Sequence, residues 1–412
     1  MRLKFGDMKN SLINILLRGL AILGKFALIL YIVKFLSLSD LGEYNLIATS
    51  VAILLFFIGF EFHAYAGRQY SLEKSNSNSE IIYNQLFTHL FIYVFLIPIS
   101  YLFLTEFVQL KYIFLVYMIL VFDHLSQEIS RAFVYIKKSI IYNLLFFLKN
   151  GGWVYGLIFM NLVFDYQINL FLILKYWLGG SLFSFFIGLI FLKRKGLLSK
   201  HRIDFNWIFK GLKVSFPFFI MSVSFRSIEY SDRFMIEHLL DYEKLGIYSF
   251  FFGISAIAGT FVTNTIAIQY IPIFIEVKNK ILDVRSNTKS FIRKIFLIYF
   301  ILALGVYIFL PVLIKFLDKA ELLDYTFLIW FMLINSVFMS LAVIPQNILY
   351  ALNHDRVLLI SAIIAAIVNL IINYITIPMI GLKGAILGTF LAYLIMITYR
   401  VFYLKYYVNW EK

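Results

Sequence analysis

The stretch Leu41-Gly42-Glu43-Tyr44 returns 204 residues later as Leu245-Gly246-Ile247-Tyr248, in a chain of 412 residues. The same shift, with no gap, carries Gly180 onto Gly384. Each anchor opens an apolar run, and two anchors in one register indicate that an ancestral half was duplicated. Such internal repeats are a recurrent construction in membrane proteins.

Composition excludes a water-soluble fold. Hydrophobic residues make up 62% of the chain and charged residues only 15%, with a mean hydropathy of +0.86, whereas soluble domains are roughly 45–50% apolar. Apolar runs of about 20 residues, long enough for a helix to cross a ~30 Å hydrocarbon layer, recur along the chain. They lack the alternation of barrel strands. The sequence therefore predicts an all-α integral membrane protein.

Twelve apolar runs are predicted to be transmembrane helices. They lie at 10–36, 44–62, 81–104, 112–136, 140–163 and 170–192 in the first half, and at 207–230, 245–271, 291–313, 325–349, 357–377 and 385–403 in the second. Six spans per half make the halves parallel repeats. We predict an N-terminal lobe over 1–192, a cytoplasmic linker over 193–206 and a C-terminal lobe over 207–412, with the two six-helix lobes around a central cavity.

Loop charges predict the orientation, because cytoplasmic loops carry an excess of Lys and Arg. The basic residues assigned to the inner face are Arg2, Lys4, Lys9, Arg68, Lys74, Lys137, Lys138, Lys193, Arg194, Lys195, Lys200, Arg202, Lys278, Lys280, Arg285, Lys289, Arg293 and Lys294. The outer loops hold Asp40, Glu43, Asp165, Glu237, Asp241 and Glu243, and only Lys383 plainly lies on the wrong side. Both termini are expected to be cytoplasmic. This bias accounts for the net charge of +14 without a nucleic-acid partner.

Motifs of common catalytic and nucleotide-binding sites are missing from the sequence. It contains no cysteine, P-loop, His-Glu-x-x-His helix or Gly-x-Ser-x-Gly elbow, and its six histidines lack ligand spacing. Neither an ATP-driven pump nor a hydrolase is supported. We expect no cofactor and no metal.

Cations inside the first and fifth predicted spans are candidates for ligand binding. A charge at a helix centre costs about 2.5–3.5 kcal/mol on insertion scales unless it faces a cavity or a partner. Arg18 and Lys25 lie nearly two turns apart, on one face of the first helix. Arg18 could instead snorkel to the headgroups, whereas Lys25 falls near mid-span. Lys149 precedes Asn150-Gly151-Gly152, which weakens the helix, and its alternative role is an ion pair with the fourth helix.

The fourth and seventh helices also carry charge. Asp123, His124, Glu128 and Arg131 form a polar stripe on the fourth helix, with i to i+4 and i to i+3 spacings. The stripe could balance the charges of Lys25 and Lys149, or it could be a protonation site that couples transport to an ion gradient. Arg226, in the seventh helix, is a further candidate for ligand binding, although Glu229 could simply pair with it.

Polar uncharged residues fall in the second half. Those in the predicted spans include Thr260, Thr263, Asn264, Gln269, Asn335, Asn347, Asn369 and Asn373. Amides and hydroxyls in membranes can hold helices together, or they can face a cavity, where they would suit sugar hydroxyls. A cationic wall with such groups and many aromatics favours an anionic ligand, and a pyrophosphate that carries a sugar chain and a hydrocarbon tail would use all three kinds of surface.

Several short motifs, in this order, carry a resemblance to a family. They are Ser39-Asp40-Leu41-Gly42-Glu43-Tyr44, Asp232-Arg233-Phe234-Met235-Ile236, Leu245-Gly246-Ile247-Tyr248, Asn369-Leu370-Ile371-Ile372-Asn373, Ile377-Pro378 and Gly381-Leu382-Lys383-Gly384-Ala385. The chain resembles the Wzx-type O-antigen and polysaccharide flippases of the multidrug/oligosaccharidyl-lipid/polysaccharide exporter superfamily. The resemblance implies two lobes arranged as a V, a bacterial inner-membrane location and coupling to an ion gradient in some members. By similarity, Asp232 and Arg233 form a structural pair.

The resemblance also implies the substrate, undecaprenyl-pyrophosphate-linked oligosaccharide for lipopolysaccharide or a related polymer. Membrane lipid and other polysaccharide assembly proteins are the expected partners. A cation-coupled multidrug or small-solute antiporter of the same superfamily is the first alternative, but it would be expected to present a carboxylate where Arg18 and Lys25 stand. A membrane polysaccharide polymerase, which would be an enzyme, is the second, and it would need a larger outer loop. The leading interpretation is a transporter with no catalytic residue.

Overall fold

The computed structural model describes residues 5–72, 78–164, 167–277 and 280–408. Within these ranges the chain is helical, without a β-strand. The helices are α1 (Phe5–Phe35), α2 (Leu38–Gly59), α3 (Phe62–Leu72), α4 (Asn78–Phe107), α5 (Leu110–Tyr135), α6 (Ser139–Phe147), α7 (Trp153–Phe164), α8 (Leu170–Arg194), α9 (Phe205–Leu239), α10 (Tyr242–Phe261), α11 (Ile268–Val277), α12 (Ile281–Leu317), α13 (Phe327–Ala351), α14 (Asp355–Ile380) and α15 (Leu382–Tyr406). The predicted all-α membrane class is confirmed.

Two π-helical segments and one 3-10 helix complete the described elements. The first π segment is Leu148–Gly152, between α6 and α7, and the second is Val262–Ala267, between α10 and α11. The 3-10 helix is Ala320–Tyr325. A π turn is a local expansion of an α-helix that is frequent at functional sites. The residues around these two segments are therefore candidates for a functional site.

Eleven of the described helices are long and apolar enough to cross a membrane, namely α1, α2, α4, α5, α8, α9, α10, α12, α13, α14 and α15. The remaining predicted span, 140–163, is a continuous helical stretch from Ser139 to Phe164 that the first π segment divides. Neither α6 nor α7 reaches a spanning length of about 20 residues alone. Together they provide the twelfth span that hydropathy predicted.

The segment after the second span is helical where the sequence was expected to form a loop. Phe60 and Glu61, with φ of 47° and 52°, separate α2 from α3. Residues 66–70, which lie between the predicted spans 44–62 and 81–104, are part of α3. Phe62 and Ala66 are completely buried, and this i to i+4 spacing holds α3 against the core.

The first repeat anchor joins equivalent helices. The starts of α2 (Leu38) and α10 (Tyr242) keep the shift of 204 residues. A Cβ on Gly42 would lie 2.0 Å from the Tyr242 carbonyl oxygen, and a Cβ on Gly246 would lie 1.8 Å from the Leu38 carbonyl oxygen. The two glycines therefore make reciprocal contacts in the register of the repeat.

The second repeat anchor does not match structurally. Gly180 lies in the middle of α8, which begins at Leu170, whereas Gly384 lies in the first turn of α15, which begins at Leu382. The two helix starts differ by 212 residues, so an ungapped shift pairs non-equivalent turns. Gly384 instead packs on α14, where a Cβ would meet the Thr376 carbonyl oxygen at 2.5 Å.

The chain divides into two compact units, described separately. Unit 1 contains Met1–Tyr31 and Leu46–Phe219, and unit 2 contains Ile32–Asn45 and Ile220–Lys412. In unit 1, α5 packs along α8, with Ser126 Oγ 2.5 Å from Ser184 Oγ. In unit 2, α15 packs along α13 and α14. The lobe boundaries at 192 and 207 and the orientation stay predictions, and Arg2, Lys4, Lys74, Asp165 and Lys278 lie outside the described residues.

Candidate functional site

Glycines bring α1 and α8 against the first π segment in unit 1. A Cβ on Gly24 would lie 2.6 Å from the Gly151 carbonyl oxygen, and a Cβ on Gly151 would lie 2.4 Å from the Ala21 carbonyl oxygen. From α8, a Cβ on Gly180 would lie 2.9 Å from the Leu148 carbonyl oxygen. Side chains at these positions would separate the backbones, because real Cβ atoms do not approach carbonyl oxygens so closely.

This packing gathers two lysines around one carboxylate. Lys149 Nζ lies 3.5 Å from Asp123 Oδ2, and the two side chains are 11% and 8% exposed. Ser181 Oγ donates a hydrogen bond of 2.7 Å to Asp123 Oδ1. The charged neighbours of the Lys25 ammonium are Lys149 and Asp123. Two positive charges therefore share one negative charge.

Lys25 combines two properties that describe its position. Its side chain is exposed, and the charges that act on its ammonium belong to Lys149 and Asp123. The exposed surface shows that packed protein atoms do not cover the side chain, although it lies beside the buried Lys149–Asp123 pair. These observations suit a cation that lines an internal opening.

Arg18 lies on the same helix and is held by neutral groups. Arg18 Nε donates a hydrogen bond of 2.8 Å to Asn143 Oδ1, and the guanidinium lies 5.6 Å from the centre of the Tyr142 ring. Asn143 in turn donates to Asn14 Oδ1 at 2.9 Å. No acidic side chain forms a salt bridge with Arg18 in the described parts of the chain. Arg18 therefore adds a second uncompensated positive charge in unit 1.

The polar stripe of α5 forms a second buried cluster. Glu128 Oε2 accepts a hydrogen bond of 2.5 Å from Gln85 Nε2, and Glu128 Oε1 accepts one of 2.5 Å from Arg131 Nη1. His124 Nδ1 lies 2.8 Å from the Tyr93 hydroxyl, and its Nε2 lies 3.9 Å from Glu128 Oε1. Glu128 is thus already paired with a cation.

Sequence reasoning missed the part of this cluster that comes from α4. Gln85 and His89 lie one turn apart on α4 and are 5% and 0% exposed. Their i to i+4 spacing on an apolar helix is the same signal that identified the stripe of α5. Nearby in α3, burial lowers the pKa of His63, and the Arg131 guanidinium acts in the same direction.

Arg226 belongs to unit 2 and has a carboxylate partner. Its Nη1 donates to Glu229 Oε2, one turn along α9, which is the alternative that the sequence left open. Asp232 and Arg233, next on the same helix, are 1% and 8% exposed. Tyr248 donates to Asp232, and the Arg233 guanidinium lies 4.7 Å from the centre of the Phe252 ring. Both contacts link α9 to α10.

The buried amides of unit 2 connect helices. Asn335 Nδ2 donates to the Ile386 carbonyl oxygen at 2.8 Å, and Asn347 Nδ2 donates to the Ala267 carbonyl oxygen at 3.1 Å. Asn369 Oδ1 accepts from Ser231 Oγ at 2.9 Å. These bonds agree with the interpretation that the amides hold helices together. The side chain of Asn264 lies outside the described residues.

Arg400, in α15, is a buried cation that the sequence interpretation did not single out. It is 0% exposed. Its Nε donates to Ser361 Oγ at 2.9 Å, and its Nη1 donates to the Ala342 carbonyl oxygen at 3.1 Å and Gln346 Oε1 at 3.3 Å. In the described ranges no carboxylate pairs with it. From sequence, a single arginine near the end of a long apolar helix is expected to extend its side chain to the membrane surface. Arg400 is instead buried within the protein.

Unit 1 also contains an apolar cavity of about 600 Å³ that is open to the surface of the unit. Aromatic rings dominate its walls, and Phe60 stacks on Phe219 with 4.5 Å between ring centres. The lining residues are Phe57, Phe60, Phe91, Ile92, Phe95, Leu96, Ile99, Leu212, Lys213, Phe216 and Phe219. Such a surface suits a hydrocarbon chain.

Comparisons with known proteins identify the fold. No family model matches the chain, and no curated protein matches it. Among solved structures, it is similar to the lipid II flippase MurJ in an inward closed conformation, with a TM-score of 0.67, 16% identity, and coverage of 97% of this chain and 87% of that one. It is also similar to an inward-facing multidrug resistance MATE family transporter of the MOP superfamily, with a TM-score of 0.72, 12% identity and 94% coverage of both chains.

A third similar structure is a MATE protein in complex with MaL6, with a TM-score of 0.62, 13% identity and 94% coverage of both chains. At these identities the likeness concerns the fold alone. The chain therefore has the fold that these flippase and transporter structures share.

Proposed function

We propose that the protein is a flippase that carries a pyrophosphate-linked lipid oligosaccharide across the bacterial inner membrane by alternating access. The observation that carries this proposal is the arrangement of Lys25 and Lys149 around the single carboxylate of Asp123. One positive charge remains after this pairing. Arg18, bonded to the neutral Asn143, adds another from the same helix face.

A surplus of positive charge in a partly desolvated site suits a pyrophosphate. Ionic hydrogen bonds are roughly twice as strong as neutral ones, and arginine offers a planar fork of donors to phosphate oxygens. Arg18, Lys25 and Lys149 would bind the pyrophosphate. Arg226, in unit 2, stays a further candidate for binding phosphate, and Glu229 now pairs with it.

The acidic residues would then set the charge balance. Asp123 holds Lys149 and receives a hydrogen bond from Ser181, so it would organise the lysines rather than bind substrate. His124, which follows Asp123 directly, and Glu128, one turn beyond His124 on α5, are the candidates for ion coupling. The aromatic cavity of unit 1 would accept part of the polyprenyl chain, since apolar area removed from water contributes about 25 cal/mol per Å².

A cation-coupled multidrug antiporter of the same fold is the second candidate, and the MATE structures favour it by their fold. An antiporter for cationic substrates needs a free carboxylate in its site. Beside Lys25 of α1, the carboxylate in the described part of the chain is that of Asp123 on α5. This carboxylate already forms an ion pair with Lys149. This contact favours an anionic substrate. A polymerase is the least supported alternative, because the fold is that of transporters.

Transport in vesicles tests the proposal. The full-length protein would be reconstituted with a fluorescent polyprenyl-pyrophosphate oligosaccharide, and accessibility of the sugar to an external lectin or quencher would be followed with and without a pH gradient. We expect protein-dependent translocation of this lipid and no uptake of a cationic dye. Lys25→Ala should abolish translocation, and Lys175→Ala, which removes an exposed lysine of α8, is the matched control. Uptake of the dye with no movement of the lipid would support the antiporter instead.

A further inference from the structure

Three metal-ligating side chains meet in the core of unit 1, where α4 packs against α5. His89 lies on α4, and His124 and Glu128 lie one turn apart on α5. One ligand atom from each lies within 4.8 Å of the other two. The residues are 0%, 1% and 4% exposed, and the two imidazole rings are 4.6 Å apart at an angle of 79°.

Three ring nitrogens in this cluster have no hydrogen-bond partner among the residues that the structure describes. They are Nδ1 and Nε2 of His89 and Nε2 of His124. A buried polar atom without a partner costs about 1–3 kcal/mol, so two adjacent imidazoles in this state need an explanation. The nitrogens are inaccessible to water.

A metal ion bound between the three side chains would give both imidazoles a partner. Two imidazoles and a carboxylate form a ligand set that suits Zn²⁺, with Zn–N distances of about 2.0–2.1 Å. The centre of a triangle with sides of 4.8 Å lies about 2.8 Å from each corner. Movements of about 0.7 Å by each side chain would bring the ligand atoms to bonding distance.

The surroundings resemble the outer shell of a metal site, in which ligands are themselves hydrogen-bonded. The Tyr93 hydroxyl lies 2.8 Å from His124 Nδ1, which leaves Nε2 as the ligand atom. Gln85 and Arg131 fix the two oxygens of Glu128. The Arg131 guanidinium opposes a second cation, so its charge should lower the affinity of the site.

The α2 helix leaves space beside the cluster. A Cβ on Gly59 would lie 3.8 Å from His124 Nε2, and no other neighbour lies within 4 Å of that position. A larger residue on this face of α2 would direct its side chain towards the imidazole. Gly59 therefore packs beside the ligand nitrogen without contacting it.

We propose that His89, His124 and Glu128 bind a divalent transition-metal ion of the Zn²⁺ class and so tie α4 to α5. This site is separate from the proposed pyrophosphate site, but it shares His124 and Glu128 with the proposed ion coupling, and a bound metal would give these two residues a structural role instead. Its test needs no lipid substrate, so the failure of one proposal leaves the other standing.

Zn²⁺ alone is the probe. Full-length protein without a polyhistidine tag would be stripped with a chelator, dialysed and titrated with Zn²⁺, with bound metal measured by atomic emission and stability measured by heat unfolding. We expect one tightly bound ion per chain and an increase in unfolding temperature. His89→Gln and His124→Gln should each weaken binding at least about tenfold. His238→Gln, which changes an exposed histidine of α9, should bind as the wild type does.

Substitution of Co²⁺ gives a readout on the wild-type protein, in case the variants fold poorly. Low-coordinate Co²⁺ with nitrogen ligands should produce intense visible absorption bands, and Arg131→Gln should strengthen binding by removing the opposing charge. The proposal is overturned by a wild-type protein that retains no stoichiometric metal and shows no such bands. Equal retention by the His89→Gln/His124→Gln double variant would also overturn it.

Discussion

The ion pair between Lys149 and Asp123 gives the most quantitative prediction. The two charges are 3.5 Å apart, which corresponds to an attraction of about 5 kcal/mol at an effective dielectric constant of about 20. Desolvation of both groups offsets much of this attraction. Removing one partner of a buried pair nevertheless costs about 3–5 kcal/mol, because the other charge stays buried and alone.

Asp123→Asn should therefore destabilise the protein by about 3 kcal/mol or more, since Lys25 and Lys149 would then repel without a counter-charge. Asp123→Asn combined with Lys149→Met should recover to within about 1 kcal/mol of the wild type, because it leaves no unpaired member of the couple. Detergent-driven unfolding in bicelles would provide the four free energies of the double-mutant cycle.

The same double variant separates the two roles considered for Lys149. The double variant keeps the net charge of the cluster, because it removes one positive and one negative charge. If Lys149 itself donates to the pyrophosphate, loss of this donor should still weaken binding of polyprenyl pyrophosphate about tenfold, or about 1.4 kcal/mol. Unchanged affinity would make Lys149 purely structural. Asp123→Asn protein as stable as the wild type, or a double variant no more stable than Asp123→Asn, would refute the reasoning about the pair.

Further substitutions test the packing of the helices. Gly151→Ala, whose Cβ would lie 2.4 Å from a carbonyl oxygen of α1, should cost about 1–3 kcal/mol and reduce flipping in vesicles; Gly179→Ala, with open space around it, should leave both unchanged. Gly246→Ala, at 1.8 Å from a carbonyl oxygen of α2, should lower the heat-unfolding temperature, whereas Gly305→Ala, with no neighbour within 4 Å, should not. Arg400→Met should keep stability within about 1 kcal/mol of the wild type or raise it, and a loss above about 3 kcal/mol would show that its hydrogen bonds outweigh the buried charge.

Hydropathy predicted where the spans lie, because bilayer thickness sets the shortest helix that can cross. It did not predict how far α9 (Phe205–Leu239) and α12 (Ile281–Leu317) extend beyond the predicted 207–230 and 291–313. It could not predict the π segment at Leu148–Gly152, since an extra residue in a helical turn leaves the apolar content unchanged. The nearby Asn150-Gly151-Gly152 did signal a weak helix, and the π segment includes these residues. The helical form of α3 was missed because its sequence, with Gly67 and Arg68, has low hydropathy.

Pairing between helices limited the prediction of the site. Charges within one helix follow from spacing, as with Glu128 and Arg131. Contacts between helices depend on rotation about each axis, which a sequence without an apolar–polar contrast does not fix. The sequence predicted, as an alternative, that Lys149 pairs with the fourth predicted span, which is α5. It did not predict that His89 lies against His124 or that Arg400 is buried.

Binding of undecaprenyl pyrophosphate by variants at Lys25 tests the central claim most directly. In the proposal, the surplus positive charge beside Asp123 attracts the pyrophosphate, so Lys25→Arg should retain binding. Lys25→Gln should weaken it by at least about tenfold, or 1.4 kcal/mol, and Lys25→Glu should weaken it further and remove its dependence on salt. Equal affinities for all four proteins, measured at low and high salt in nanodiscs, would contradict the account.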